Sequence, residues 1–141
     1  MEQTKATSIT IETNINAPIE KVWNYWNEPS HITQWCQASP DWHAPYAENN
    51  LVKGGSFKTT MAAKDGSMQF DFGGVYDEVD ENRHIAYTMG DGRKVDVKFF
   101  EEGNNTKVIE RFDAESQNPV EMQRSGWQAI LDNFKKHVEN N

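Results

Sequence analysis

Glu110 is the residue of this chain with the clearest chemical potential. It lies between Val108 and Phe112 in the alternating run Thr106–Ala114, so a period of two places it on the apolar face of a strand. A carboxylate there is costly unless it is paired or protonated, and its pKa rises. Such a group could bind a ligand hydroxyl or amine, or serve as a general acid. The alternative is a bulge that reverses the register and leaves Glu110 solvated with Ile109 inside, because a slip of one residue exchanges the two faces of a strand.

Trp35, Trp42, Tyr46, Tyr87 and Trp127 combine an apolar ring with a polar handle. Each suits plain core packing, and together they suit the wall of a pocket that orients a bound molecule. The four histidines, His31, His43, His84 and His137, show no metal-ligand spacing. His43, beside Trp42 and near Asp41, is the one best placed to reach a cavity mouth. Cys36 has no activating base near it in sequence, which suits a buried inert thiol better than a nucleophile. Gly54-Gly55 and Gly73-Gly74 precede no helix, so they are turn and bend residues and not phosphate loops. No cofactor and no metal is expected.

The chain that must position these residues has 141 residues, 22 acidic and 14 basic, for a net charge of -8. That excess disfavours nucleic acid and anionic membrane as partners, which both need a positive field. The mean hydropathy of -0.84 is low, yet an aromatic share of 11% argues for a packed core. The single cysteine excludes an internal disulfide. Met1-Glu2-Gln3-Thr4-Lys5 lacks an apolar signal segment, and no stretch approaches the ~18 apolar residues of a membrane span. One soluble cytoplasmic domain over residues 1–141 is expected, with its core at about 8–138.

Ser8–Ile15 alternates as a strand with Ile9, Ile11 and Ile15 on one face. Asn16 is a plausible cap and Pro18 a first-turn residue for an amphipathic helix carrying Val22, Trp23 and Trp26 to about Asn27. Pro29-Ser30 breaks it, and His31–Trp35 forms a second short helix. Strands follow at Trp42–Tyr46, at Ser56–Ala63 with Phe57, Thr59 and Met61 on one face, and at Met68–Val79 with Phe70 and Phe72. Gly73-Gly74 suggests a bend or bulge in the last of these. Further strands at His84–Met89, Lys94–Glu101 and Thr106–Ala114 are linked by Asp91-Gly92 and Gly103-Asn104-Asn105 turns, as Asp65-Gly66 links the earlier pair. After Pro119 the period returns to 3.6, with Trp127, Ile130, Leu131, Phe134 and Val138 on one stripe and Met122 further up the same side. Asn118 is its plausible cap.

Half-apolar antiparallel strands need one face covered, and the last helix is the only large apolar one left. The predicted fold is α+β: a curved antiparallel sheet wrapped around a long C-terminal helix, with two short helices after the first strand. A strongly twisted sheet curls around one helix without being filled by it, which leaves an apolar cavity.

The order of elements resembles the helix-grip fold of the START-like or Bet v 1-like (SRPBCC) superfamily. Several segments resemble more narrowly the family of homologues of the activator of the heat-shock protein 90 ATPase. They are Ile15-Asn16-Ala17-Pro18-Ile19-Glu20-Lys21-Val22-Trp23, Glu28-Pro29 through Trp35, and Gly74-Val75-Tyr76-Asp77-Glu78-Val79. Arg83-His84-Ile85-Ala86-Tyr87-Thr88 and Gly126-Trp127-Gln128-Ala129-Ile130-Leu131 complete the set. The chain departs from the family at Gln34-Trp35-Cys36, where a second aromatic residue often follows the tryptophan. The resemblance implies a domain that binds small hydrophobic or amphipathic molecules in an inner cavity. Some members are cyclases or hydrolases.

The expected cavity wall comprises Trp35, Trp42, Phe57, Phe72, Tyr87, Met89, Phe99, Glu110, Phe112, Trp127 and Leu131. The leading expectation is binding of a small hydrophobic ligand without chemistry, by a monomer or homodimer; Phe100 on the outer sheet face would suit a dimer contact. A cyclase- or hydrolase-like enzyme using Glu110 with Tyr87 or His43 is the alternative. A chaperone- or stress-related interaction module follows from the resemblance alone.

Overall fold

The computed structural model describes residues 7–37 and 39–141, so the Met1–Lys5 stretch lies outside the described residues. The alternating isoleucines form β1 (Ser8–Ile15), with Ile9, Ile11 and Ile15 buried. Two helices follow, α1 (Ile19–Asn27) and α2 (Pro29–Trp35). Six hairpin-linked strands come next: β2 (Trp42–Asn49), β3 (Ser56–Ala63), β4 (Gln69–Asp80), β5 (His84–Met89), β6 (Lys94–Glu102) and β7 (Asn105–Asp113). The last described element is α3 (Val120–Asn140).

The seven strands make one sheet in the order β1-β7-β6-β5-β4-β3-β2, antiparallel throughout. It curls into a half-barrel around α3, which packs along β1 while α2 packs along β2. The architecture is the α+β helix-grip arrangement. Leu131, Phe134 and Val138 of α3 are buried against the inner face. Phe134 packs edge to face with the Trp26 and Trp35 rings, centroids 4.9 and 4.8 Å apart.

Two expected caps are corrected. The residues before α1 and α3 are Pro18 and Pro119, and neither helix has a side-chain cap. Proline has no N–H and its fixed φ already suits the entry to a helix, so an Asx cap is not needed. Asn16 instead donates its backbone N–H to Glu139 at 2.8 Å, and Asn118 donates its own to Glu115 at 2.8 Å. Met122 is also off the apolar stripe, at 61% exposure. A step of one turn back from Trp127 lands on Gln123, which is buried, and not on Met122.

The bulge expected at Gly73-Gly74 is elsewhere. Both glycines sit in regular pairing with β3, and the register shifts between Tyr76 and Glu78 against β5. Their role is close approach: a Cβ on Gly73 would collide with the Phe57 carbonyl oxygen, and one on Gly74 with that of Thr88. β2 also runs on to Asn49, three residues past the predicted Tyr46.

Candidate functional site

β7 pairs without a register shift on both sides, setting Glu110 opposite Ile11 of β1 and Val97 of β6. The inner face therefore alternates Thr106, Val108, Glu110 and Phe112, all buried, while Ile109 turns outward. The reversed-register alternative does not occur. Glu110 is 6% exposed and borders a cavity of about 290 Å³ between the sheet and the helices. That lies near the lower end of the ~300–1,000 Å³ typical of small-molecule sites.

The sheet side of the wall comes from Phe57, Thr59 and Met61 of β3, Phe72 and Tyr76 of β4, Ile85, Tyr87 and Met89 of β5, and Glu110 of β7. Trp127, Ile130 and Leu131 of α3 form another side, and Trp26, Asn27, Ile32, Trp35 and Cys36 come from α1, α2 and the residue after it. The rings interlock edge to face. Phe57 meets Tyr87 at 4.7 Å and 77°, and Phe72 meets Trp127 at 5.9 Å and 79°. Trp35 is held by its indole N–H, which donates to the Tyr25 carbonyl at 3.0 Å.

Of the expected wall residues, Trp35, Phe57, Phe72, Tyr87, Met89, Glu110, Trp127 and Leu131 line the cavity. Trp42, Phe99 and Phe112 do not. Phe112 lies beneath the wall with Trp127 stacked on it, Phe99 packs on Trp23 and Trp26, and Trp42 packs on Phe70. Phe70, although in the wall, is 47% exposed at the rim. Tyr46 is exposed, its hydroxyl donating to Glu48 at 2.6 Å, and His43 is exposed and outside the wall. His43 is therefore no partner for Glu110.

Several wall residues carried no sequence signal strong enough to mark them. Tyr76 donates its hydroxyl to Asn49 Oδ1, whose amide donates to the Asn27 carbonyl at 2.8 Å, a polar chain joining β4, β2 and α1. Tyr76 shares its parity with Phe70 and Phe72, and that alternation was the available clue. Gln123 donates to the Glu115 and Asn118 carbonyls at 3.0 and 2.8 Å, fixing the entry to α3. Arg93 follows the β5–β6 turn at Gly92, whose φ of 92 is open to glycine, and its Nε donates to Asp91 at 2.8 Å.

Burial alone raises the Glu110 carboxyl from its usual 4.5 to about 8, and no hydrogen bond to a described residue offsets it. Burial, then the nearby Glu110 charge, pushes the Cys36 thiol up to about 12, so at neutral pH it is an inert thiol. Tyr87 is likewise raised, first by burial and then by Glu110. His31 and His137 pair with each other at 2.8 Å away from the cavity, and His84 bonds Asp96 at 2.8 Å. Among the described residues no group of His, Cys, Asp and Glu side chains could hold a metal ion. No described helix is long and apolar enough to cross a membrane.

Helix-grip architecture with an aromatic cavity defines a START-like (SRPBCC) domain. More narrowly, residues 16–139 match the model for "Activator of Hsp90 ATPase homolog 1-like protein", and the chain belongs to that family. It is similar to the solution structure of an AHSA1-like protein from Aeromonas hydrophila, at 47% identity and TM-score 0.89, covering 95% of this chain and 93% of that one. The solution structure of Chr148 from Cytophaga hutchinsonii is 62% identical with TM-score 0.82, over 95% and 93% of the two chains. CV1439 from Chromobacterium violaceum, at 20% identity and TM-score 0.85 over 96% and 99%, shares the fold. Among curated proteins none matches in sequence.

Proposed function

We propose that this protein binds a small hydrophobic or amphipathic molecule in the cavity between the sheet and α3. The observation that carries this reading is a wall of Phe57, Phe72, Tyr87, Trp127 and their neighbours, interrupted by a buried acid, Glu110, that has no partner among the described residues. Apolar walls with a few convergent polar groups are what small-molecule sites share. The test is a thermal-shift screen of lipophilic compounds against the wild type and Phe72→Arg. Concentration-dependent stabilisation of the wild type, absent from the folded variant, is expected. If no compound stabilises the wild type more than the folded variant, the reading fails.

A second reading, a cyclase- or hydrolase-like enzyme, is favoured by a buried carboxyl poised at about 8 on a mostly apolar wall, suited to general-acid work near neutral pH. It expects Glu110→Gln to abolish turnover while ligand binding survives. An unchanged rate removes Glu110 from any mechanism.

A further inference from the structure

The cavity holds a buried acid that no described residue satisfies. Glu110 is 6% exposed, borders the cavity and has no hydrogen-bond or ion-pair partner among the described residues. The other charged wall residues, Arg93 and Glu115, are already engaged. Arg93 bonds Asp91 at 2.8 Å, and the Glu115 carboxylate accepts the backbone N–H groups of Gln117 and Asn118 at 2.6 and 2.8 Å. The titratable groups near enough to sense Glu110 are Cys36 beyond α2 and Tyr87 of β5, both neutral at neutral pH. Of the two wall carboxyls only Glu110 is left without a hydrogen-bond partner among the described residues, and the one cation in the wall, Arg93, bonds Asp91 and not Glu110.

Resting on the reading above, we propose that the ligand is an amphipathic organic amine. Its apolar body lies among Phe57, Phe72, Tyr87 and Trp127, and its ammonium group is directed at the Glu110 carboxyl. An ammonium ion brings the charge that desolvation denies the carboxylate, and charge-assisted hydrogen bonds are about twice as strong as neutral ones. A ligand hydroxyl would satisfy one oxygen without that gain. The ring faces favour the same choice, since aromatic quadrupoles attract cations. So does the net charge of -8, which draws cations toward the molecule and repels carboxylate ligands. The rise of the Glu110 carboxyl to about 8 agrees with a site lacking its partner cation.

Three probes of one shape separate the possibilities: phenylbutylamine, phenylbutanol and phenylbutanoate, titrated calorimetrically at neutral pH into the wild type and Glu110→Gln. The amine is expected to bind the wild type about tenfold or more tighter than the alcohol, and the acid weakest. In the Glu110→Gln variant that preference disappears while the alcohol still binds. An alcohol as tight as the amine in the wild type overturns the amine assignment and leaves the cavity reading standing. A preference that survives in the folded variant also overturns it. Failure of all three probes to bind the wild type overturns both readings. The comparison among ligands on the wild type stands even if the variant does not fold.

Discussion

The Trp127 indole lies flat on the Phe112 ring, their centroids 3.8 Å apart and their planes 8° from parallel. One face of the indole is thereby fixed to the floor of the sheet, and the ring stands at 79° to Phe72, their centroids 5.9 Å apart, in the cavity wall. The stack sets how far α3 stands from β7, and so how much of the half-barrel is left empty.

That stack makes a measurable contribution to stability. In a double-mutant cycle of Phe112→Leu and Trp127→Leu, read from denaturant midpoints, the coupling energy should be about 1 kcal/mol. Strict additivity of the two losses would mean that the rings are neighbours without being partners.

Glu110 should give stability a distinctive pH dependence. Its folded pKa of about 8 lies above the usual 4.5, so between these values the native state holds a proton that the unfolded chain has lost. The group's contribution is fully present below about 4.5 and is lost as pH rises through about 8. Glu110→Gln, which cannot ionise, should remove that decline, gaining on the wild type by on the order of 1 kcal/mol per pH unit within the window. Parallel stability curves for the two proteins from acid to mildly alkaline pH would contradict a neutral buried acid.

Gly73→Ala should destabilise by roughly 1–3 kcal/mol, because the added methyl meets the Phe57 carbonyl oxygen of β3 and must push two paired strands apart. Gly90→Ala, where a Cβ would meet nothing within 4 Å, is the control and should stay within about 0.5 kcal/mol. Equal melting temperatures for the two variants would show that β3 and β4 separate without cost.

The parts of the molecule that were legible beforehand are those governed by local periodicity. The alternation around Glu110 was enough to aim it inward once no bulge intervened, and Leu131, Phe134 and Val138 announced the buried stripe of α3 by spacing alone. The helix starts escape local pattern: Asn16 and Asn118 look like caps, but Pro18 and Pro119 after them take that position. The bulge is not legible at Gly73-Gly74, because a glycine pair signals either a bend or a close approach and only the neighbouring carbonyls distinguish the two.

By its own patterning the chain determined seven strands and three helices, since each depends on residues a few positions apart, and it narrowed Glu110 to two registers of the last strand. Tertiary structure alone decided which inward residues meet each other and which meet empty space. Phe99, Phe112 and Glu110 share one face of the sheet, yet Phe99 is covered by Trp23 and Phe112 by Trp127, while Glu110 is left facing the cavity. The curl of the sheet and the width of a single helix set that outcome, and neither is encoded within any one segment.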